Sequence, residues 1–390
     1  MITRESIVEV AQFEDPQGCA VSFYFQPDTP QNKSHREETI QMKDLLRKAL
    51  HEAEKSGNHR GAREDLESIL TMAESLRGDC RHAKAVFASS QQNFWREYDL
   101  PPVLSARSLD IGKRFHLRPL TAIAGILPRV CIAVAGRTTA RLFQLWMGEI
   151  KETDTIVSEL PRRGRSDGFA GYDAGHAERH ADHEAIHHFK RFTGLVAKRQ
   201  EKEGFDRLIL GCRDENWAEI EPRLHPYAKQ RLIGRFPFDF ATGTVEQVRE
   251  QAERILREFR EKRYHDLFQR VVNEAKANSL GALGIKRVLR SLEAGEVQTL
   301  LLGQNFAAVA AECRHCGHVE PLKSDIPCPV CGAETRLVAD VSDLLLGAAV
   351  RNGLEIVHVP PDPEFEKVGN VAALLRFRSD QNTNAAQQAG

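Results

Sequence analysis

No apolar run in this 390-residue sequence approaches the ~18 residues that crossing a bilayer requires, so no segment reads as a transmembrane helix. The opening Met1-Ile2-Thr3-Arg4-Glu5-Ser6 lacks the apolar core of a secretory signal, which argues for a cytoplasmic protein with no membrane partner. Net charge is nearly absent too: 54 basic residues stand against 55 acidic ones, a balance of −1. Such a chain does not coat nucleic acid by bulk electrostatics, although local basic patches offset by acidic ones stay compatible with it. No internal repeat is visible. A disulfide framework is also excluded, because it belongs to oxidising compartments and small domains.

What remains is a soluble globular composition, 41% hydrophobic and 28% charged. The length implies two or three domains. Of the eight cysteines, Cys19, Cys80, Cys131 and Cys212 are scattered beside apolar residues and read as small buried side chains. The other four read Cys313-Arg-His-Cys316-Gly-His, eleven residues between the inner cysteines, and Cys328-Pro-Val-Cys331-Gly. Two residues between cysteines let a tight turn aim both sulfurs at one point. Gly317 and Gly332 supply the positive φ that such a turn needs. Two facing turns give tetrahedral sulfur coordination suited to Zn2+, one per chain. Four thiolates leave no open position for water, so the metal is expected to be structural. His315 and His318 are surplus to it.

Apolar periodicity places strands at 21–27, 83–89, 130–135 and 140–147, with helical patterns at 37–55 and 62–76. A long helix is expected over 176–203, then a strand at 207–211 and helices at 217–224 and 245–262. Further on come helices at 267–278, 284–294 and 340–352, and strands at 299–302, 355–359 and 371–377. Between strand 140–147 and helix 176–203 lies a glycine-rich basic loop, Pro161–Gly175, too long for a routine connection. Arg162, Arg163 and Arg165 offer phosphate pairing, and Phe169 and Tyr172 offer base stacking, beside Gly168 and Gly171. A flexible surface loop accounts for the same composition. In the helix that follows, His176, His180, His183 and His187 share one face. Histidines one turn apart can ligate a metal, with Asp173 or Glu184 completing a hydrolytic site. An amphipathic face against the loop or RNA explains the spacing equally well.

An ordered series of segments resembles the archaeal and eukaryotic peptide-chain release factor family, which includes Pelota-type rescue factors. It comprises Gly284-Ile-Lys-Arg-Val-Leu-Arg-Ser-Leu-Glu-Ala-Gly295-Glu-Val-Gln-Thr-Leu, the cysteine turns, Asp340-Val-Ser-Asp343-Leu, Leu354-Glu-Ile-Val-His, and Val368-Gly369-Asn-Val-Ala-Ala-Leu-Leu-Arg376-Phe377. Upstream, Leu160-Pro-Arg-Arg-Gly-Arg165 is similar to the lead-in to the family's catalytic loop, and His187-His188-Phe189 to a step on the helix after it. Asn32-Lys33-Ser34 is similar to the family's stop-codon motif with one residue missing.

The resemblance implies an α/β (α+β) fold in three domains. An N-terminal domain over 1–117 would approach the decoding centre. A middle domain over 118–262 would carry loop 161–175. A C-terminal domain over 263–378 would hold the zinc knuckle 313–332, followed by a disordered tail at 379–390. The middle and C-terminal domains would each be a mixed sheet with packed helices. The family's Gly-Gly-Gln tip, which hydrolyses peptidyl-tRNA, is nowhere in this sequence. The resemblance is thus to a bacterial, Balon-like member that binds the ribosomal A site without release chemistry, acting in hibernation or stalled-ribosome surveillance. No catalytic residue is assigned. It implies RNA contacts by Lys33 and the loop residues in the decoding and peptidyl-transferase centres, with elongation factor Tu or another translational GTPase as partner. Two alternatives stay open: a release or rescue enzyme with a divergent tip, and a metal-dependent hydrolase using the histidine face.

Overall fold

The computed structural model describes residues 4–25, 40, 43–51, 60–75, 83–100, 108–126, 128–146, 149–158, 172–321 and 326–380. The chain divides into two compact units, one of Met1–Ile126 with Tyr264–Gly390, the other of Leu127–Arg263. Residues expected as first and third domains therefore fall in one unit, where they build separate sheets. The helix Arg118–Ile126, expected to open the middle domain, also falls in that unit.

The N-terminal sheet consists of β1 (Ala20–Phe25), β2 (Ala83–Ser89), β3 (Phe94–Leu100) and β4 (Ser108–Gly112), in the order β3-β2-β1-β4 and antiparallel throughout. All six residues of β1 are buried, so the strand is covered on both faces. Val21, Phe23 and Phe25 pack with Leu46, Leu66 and Ile69 on one side. On the other, Tyr24 meets Phe87 edge-on and donates its hydroxyl to the carbonyl of His116 at 2.5 Å.

The second unit is a five-stranded mixed sheet of β5 (Val130–Ala135), β6 (Thr139–Trp146), β7 (Glu149–Val157), β8 (Arg207–Cys212) and β9 (Leu232–Phe236), ordered β7-β6-β5-β8-β9. β5 shows why. Its alternate residues Cys131, Ala133 and Ala135 face a core with Phe189, Phe192 and Val196 of the helix Tyr172–Lys202. Val130, Ile132 and Val134 face a second core with Val248, Ala252 and Ile255 of the helix Val245–Lys276. Helices on both faces need such an uninterrupted apolar strand. β7 escapes apolar pattern-reading because it is a charged edge strand, largely exposed along Glu149, Lys151 and Glu152. The helix Val245–Lys276 corrects the expected break between 262 and 267: no glycine or proline interrupts Arg263-Tyr264-His265-Asp266, so it stays continuous.

The C-terminal sheet is also mixed, formed by β10 (Gly281–Leu283), β11 (Val297–Gly303), β15 (Glu355–Val359) and β16 (Val371–Leu375) in the order β10-β16-β11-β15. A small antiparallel sheet interrupts it, β12 (Ala310–Cys313) flanked by β13 (Val319–Glu320) and β14 (Thr335–Val338). Of the tail, Ser379 is held by its amide and hydroxyl on Oε1 of the buried Glu296, at 2.9 and 2.6 Å. Residues 381–390 lie outside the described residues. Among the described residues no helix is long and apolar enough to cross a membrane.

Candidate metal centre

Two turns with the same backbone build the cysteine cluster. In the first, the amide of Cys313 donates to the carbonyl of His318 at 2.8 Å and that of Gly317 to the carbonyl of Cys313 at 3.2 Å. In the second, Cys328 donates to Ala333 and Gly332 to Cys328, both at 2.8 Å. Each turn closes through a glycine with positive φ, 72° at Gly317 and 74° at Gly332. Each also aims amides at its first sulfur: His315 and Cys316 at Cys313 Sγ, and Val330 at Cys328 Sγ, all at 3.4 Å.

The turns bring all four sulfurs within 4.8 Å of one another. Cys313–Cys331 and Cys316–Cys331 are separated by 3.5 Å, and Cys316–Cys328 by 3.6 Å. A disulfide needs about 2.05 Å, so these are not bonded pairs. A metal at the ~2.3 Å zinc–sulfur distance in a tetrahedron sets sulfurs about 3.8 Å apart, close to what is found. The four cysteines thus fit a metal ion, with Cys313 and Cys328 buried and Cys316 and Cys331 exposed. The amide of Cys316 is the largest influence on the Cys313 thiol, which is held below its usual value, while the thiol of its neighbour Cys316 is raised, so the first thiolate of the cluster forms at Cys313. His315 is not among the ligands. His318 is occupied elsewhere, its Nδ1 2.9 Å from Glu293 and its Nε2 3.3 Å from Glu320.

Glu312, immediately before the first cysteine, was not singled out in the sequence. It is buried, yet it accepts four hydrogen bonds from two arginines: Arg114 engages both its oxygens, and Arg336 on the adjoining β14 donates through Nε and Nη2 to Oε2. These contacts hold its carboxyl below the usual range against the opposing pull of burial. The one sequence signal was a carboxylate inside the apolar run Ala310-Ala-Glu-Cys313. Nearby, His116 Nδ1 lies 2.9 Å from Asp343 Oδ2, whose other oxygen accepts the Leu117 amide at 2.9 Å. The Arg118 guanidinium donates to the carbonyls of Gln304 and Phe306.

The remaining expected site residues divide. Lys33, Arg162, Arg163, Arg165, Gly168, Phe169 and Gly171 lie outside the described residues, and Tyr172 is the first residue of helix Tyr172–Lys202. On that helix His180, His183 and His187 are exposed, and the rings of His183 and His187 meet edge-on at 4.6 Å. Among the described residues these three form no ligand group of three or more with a neighbouring carboxylate, and the side chains of His176 and Asp173 lie outside the described residues. His188 points inward instead and shares a 2.7 Å hydrogen bond with Ser158 Oγ, the last described residue before the loop. Burial pulls its imidazole down. Cys19, Cys131 and Cys212 are buried free thiols, as their apolar neighbours imply, and Cys80 lies outside the described residues.

This chain is similar to peptide chain release factor subunit 1 of Pyrococcus abyssi, 26% identical over 310 residues that cover 71% of this chain and 73% of that one. It is 24% identical over 310 residues, with the same coverage, to the same factor of Thermococcus onnurineus. Among solved structures, S. cerevisiae Dom34, described as a translation termination-like factor, is 10% identical. It covers 97% of this chain and 94% of that one at a TM-score of 0.43. Residues 116–257 match the family described as bacterial archaeo-eukaryotic release factor family 10.

Proposed function

We propose that this chain is a cytoplasmic, ribosome-binding translation factor that occupies the A site without peptide-release chemistry, in hibernation or stalled-ribosome surveillance. One observation carries the reading. In a chain similar to peptide chain release factors, the stretch Pro161–Gly175 keeps glycines and three arginines but has no Gly-Gly-Gln. Release by that tip needs glycines to fit the peptidyl-transferase centre and glutamine to place a water at the ester. Without the glutamine, binding is retained and hydrolysis is not. Arg162, Arg163 and Arg165 pair with rRNA phosphates, Phe169 and Tyr172 stack on bases, and Gly168 and Gly171 let the backbone approach. Lys33 contacts phosphate near the decoding centre. Cys313, Cys316, Cys328 and Cys331 hold one Zn2+, which stabilises the small sheet, and the C-terminal sheet meets elongation factor Tu or another translational GTPase.

Co-sedimentation with ribosomes from growing and starved cells tests binding, and absence from ribosomal fractions in both conditions overturns the reading. Release of labelled peptide from stalled complexes tests chemistry: no release above background is expected. Release lost on making Gly168 and Gly171 bulky would establish a release enzyme instead.

A further inference from the structure

Helix Tyr172–Lys202 buries one face, through Ala185, Phe189, Phe192 and Val196, and exposes the opposite one. His180, His183, His187, Lys190, Arg191 and Lys198 are all exposed, with Gly194 among them. At ~100° per residue these positions fall in one arc about 100° wide, and at 1.5 Å per residue they run ~27 Å along the helix. Acidic residues stay off the stripe. Asp182 lies outside the arc and is engaged by Arg137 of the β5–β6 turn, Glu184 is half-buried at its edge, and Glu201 lies past its end. Arg191 also donates to Ser158 Oγ at 3.2 Å.

Gly194 is the second observation. A glycine inside a helix is disfavoured relative to alanine, and a Cβ placed there would meet nothing within 4 Å. Among the described residues nothing therefore requires glycine at that point. Its position in the middle of a cationic stripe leaves a notch through which a partner's backbone can come close.

We propose that this face docks on the phosphate backbone of structured RNA. The spacing of donors along ~27 Å fits an extended polyanion rather than one bound anion, and lysine, arginine and histidine side chains on a rigid helix position without reading sequence. An imidazole N–H donates a hydrogen bond to a phosphate oxygen, so the three exposed histidines add donors to the stripe. The proposal deepens the RNA-binding reading above and rests on it.

The test is fluorescence anisotropy of the full chain against a 20-base-pair RNA duplex of arbitrary sequence, beside ribosome co-sedimentation. Combined Lys190→Gln and Lys198→Gln is expected to weaken duplex binding roughly tenfold and to reduce the salt slope by about two phosphate contacts. Combined His180→Ala, His183→Ala and His187→Ala is expected to weaken duplex binding severalfold, and Gly194→Gln to weaken binding without lowering the melting temperature. Parent-like affinity and salt slope in all three overturn the proposal while ribosome binding stands. A parent chain that binds neither duplex nor ribosomes overturns both readings.

Discussion

Arg114 donates from Nη2 to Glu312 Oε1 at 2.5 Å and from Nη1 to Oε2 at 3.2 Å, joining the segment after β4 to the residue before the first cysteine of the cluster. Glu312 is only 5% exposed at its side chain and also receives Arg336. Removing one partner of a buried pair leaves the others uncompensated. Since both arginines keep partial solvent contact, Glu312→Ala is expected to cost about 2–3 kcal/mol in chemical denaturation. Its carboxyl is held below the usual range, so its contribution is present above the unfolded value of 4.5 and is lost as pH falls through the folded one. Glu312→Gln should therefore flatten the loss of stability below pH 4.5. A variant as acid-sensitive as the parent would show that other carboxylates dominate.

Two histidines in the same unit should titrate stability in opposite directions. Burial pulls half-buried His358 down to about 4, assisted by the Arg118 charge, while its Nε2 stays within 3.1 Å of Thr121 Oγ1. Its neutral form suits the fold, so its stabilisation is complete above the ordinary 6.5 and disappears as pH falls toward 4. For His116, burial lowers but the Asp343 hydrogen bond and charge raise further, so its value is net raised. Its stabilisation is complete below 6.5 and is lost as pH rises through the folded value. Denaturation across pH 4–8 should show His358→Gln removing up to about 2 kcal/mol of acid sensitivity, and His116→Asn removing stability chiefly at the acid end. Identical profiles for the two variants would contradict these opposite signs.

The cysteine turns were legible because their chemistry is local: spacing, glycine and thiol type sit within five residues of one another. β5 and β8 were legible because burial on both faces leaves an apolar run. The Arg114–Glu312 pair was not, since 198 residues separate its members and no periodicity links them. β7 was hidden by its solvent-facing charges. The continuity of Val245–Lys276 was hidden because its apolar face changes at the point where the chain passes from one core to the other, with Ile255 in one and Phe268 in the next. Pairings of distant residues are set by tertiary packing, which a linear pattern does not encode.

Gly332 reads out the second cysteine turn separately. Its φ of 74° lies where a Cβ crowds the following carbonyl, and a β-branched residue is excluded most strongly. The strain of Gly332→Val, about 1–2 kcal/mol, falls on the second cysteine turn. Competition with a chromophoric chelator should show affinity for Zn2+ weakened roughly tenfold. Gly295→Ala, also at positive φ but outside the cluster, is the control and should leave it unchanged. Equal affinity in Gly332→Val would mean that the turn is not shaped by the metal.

Metal content follows from the four sulfurs acting as one group. Elemental analysis of the purified chain should find about one Zn2+ per chain, falling to background when Cys313, Cys316, Cys328 and Cys331 are replaced together by serine. Because β12 carries both Cys313 and Glu312, loss of the metal is expected to reach the Arg114 contact as well as the small sheet. Chelation should therefore lower the melting temperature of the parent by several degrees and lower that of Glu312→Ala by less, since the two perturbations share a strand and are not additive. Additive losses would separate the ion pair from the metal. Zinc remaining at one per chain in the four-serine variant would place it elsewhere and remove the cysteine cluster as its site.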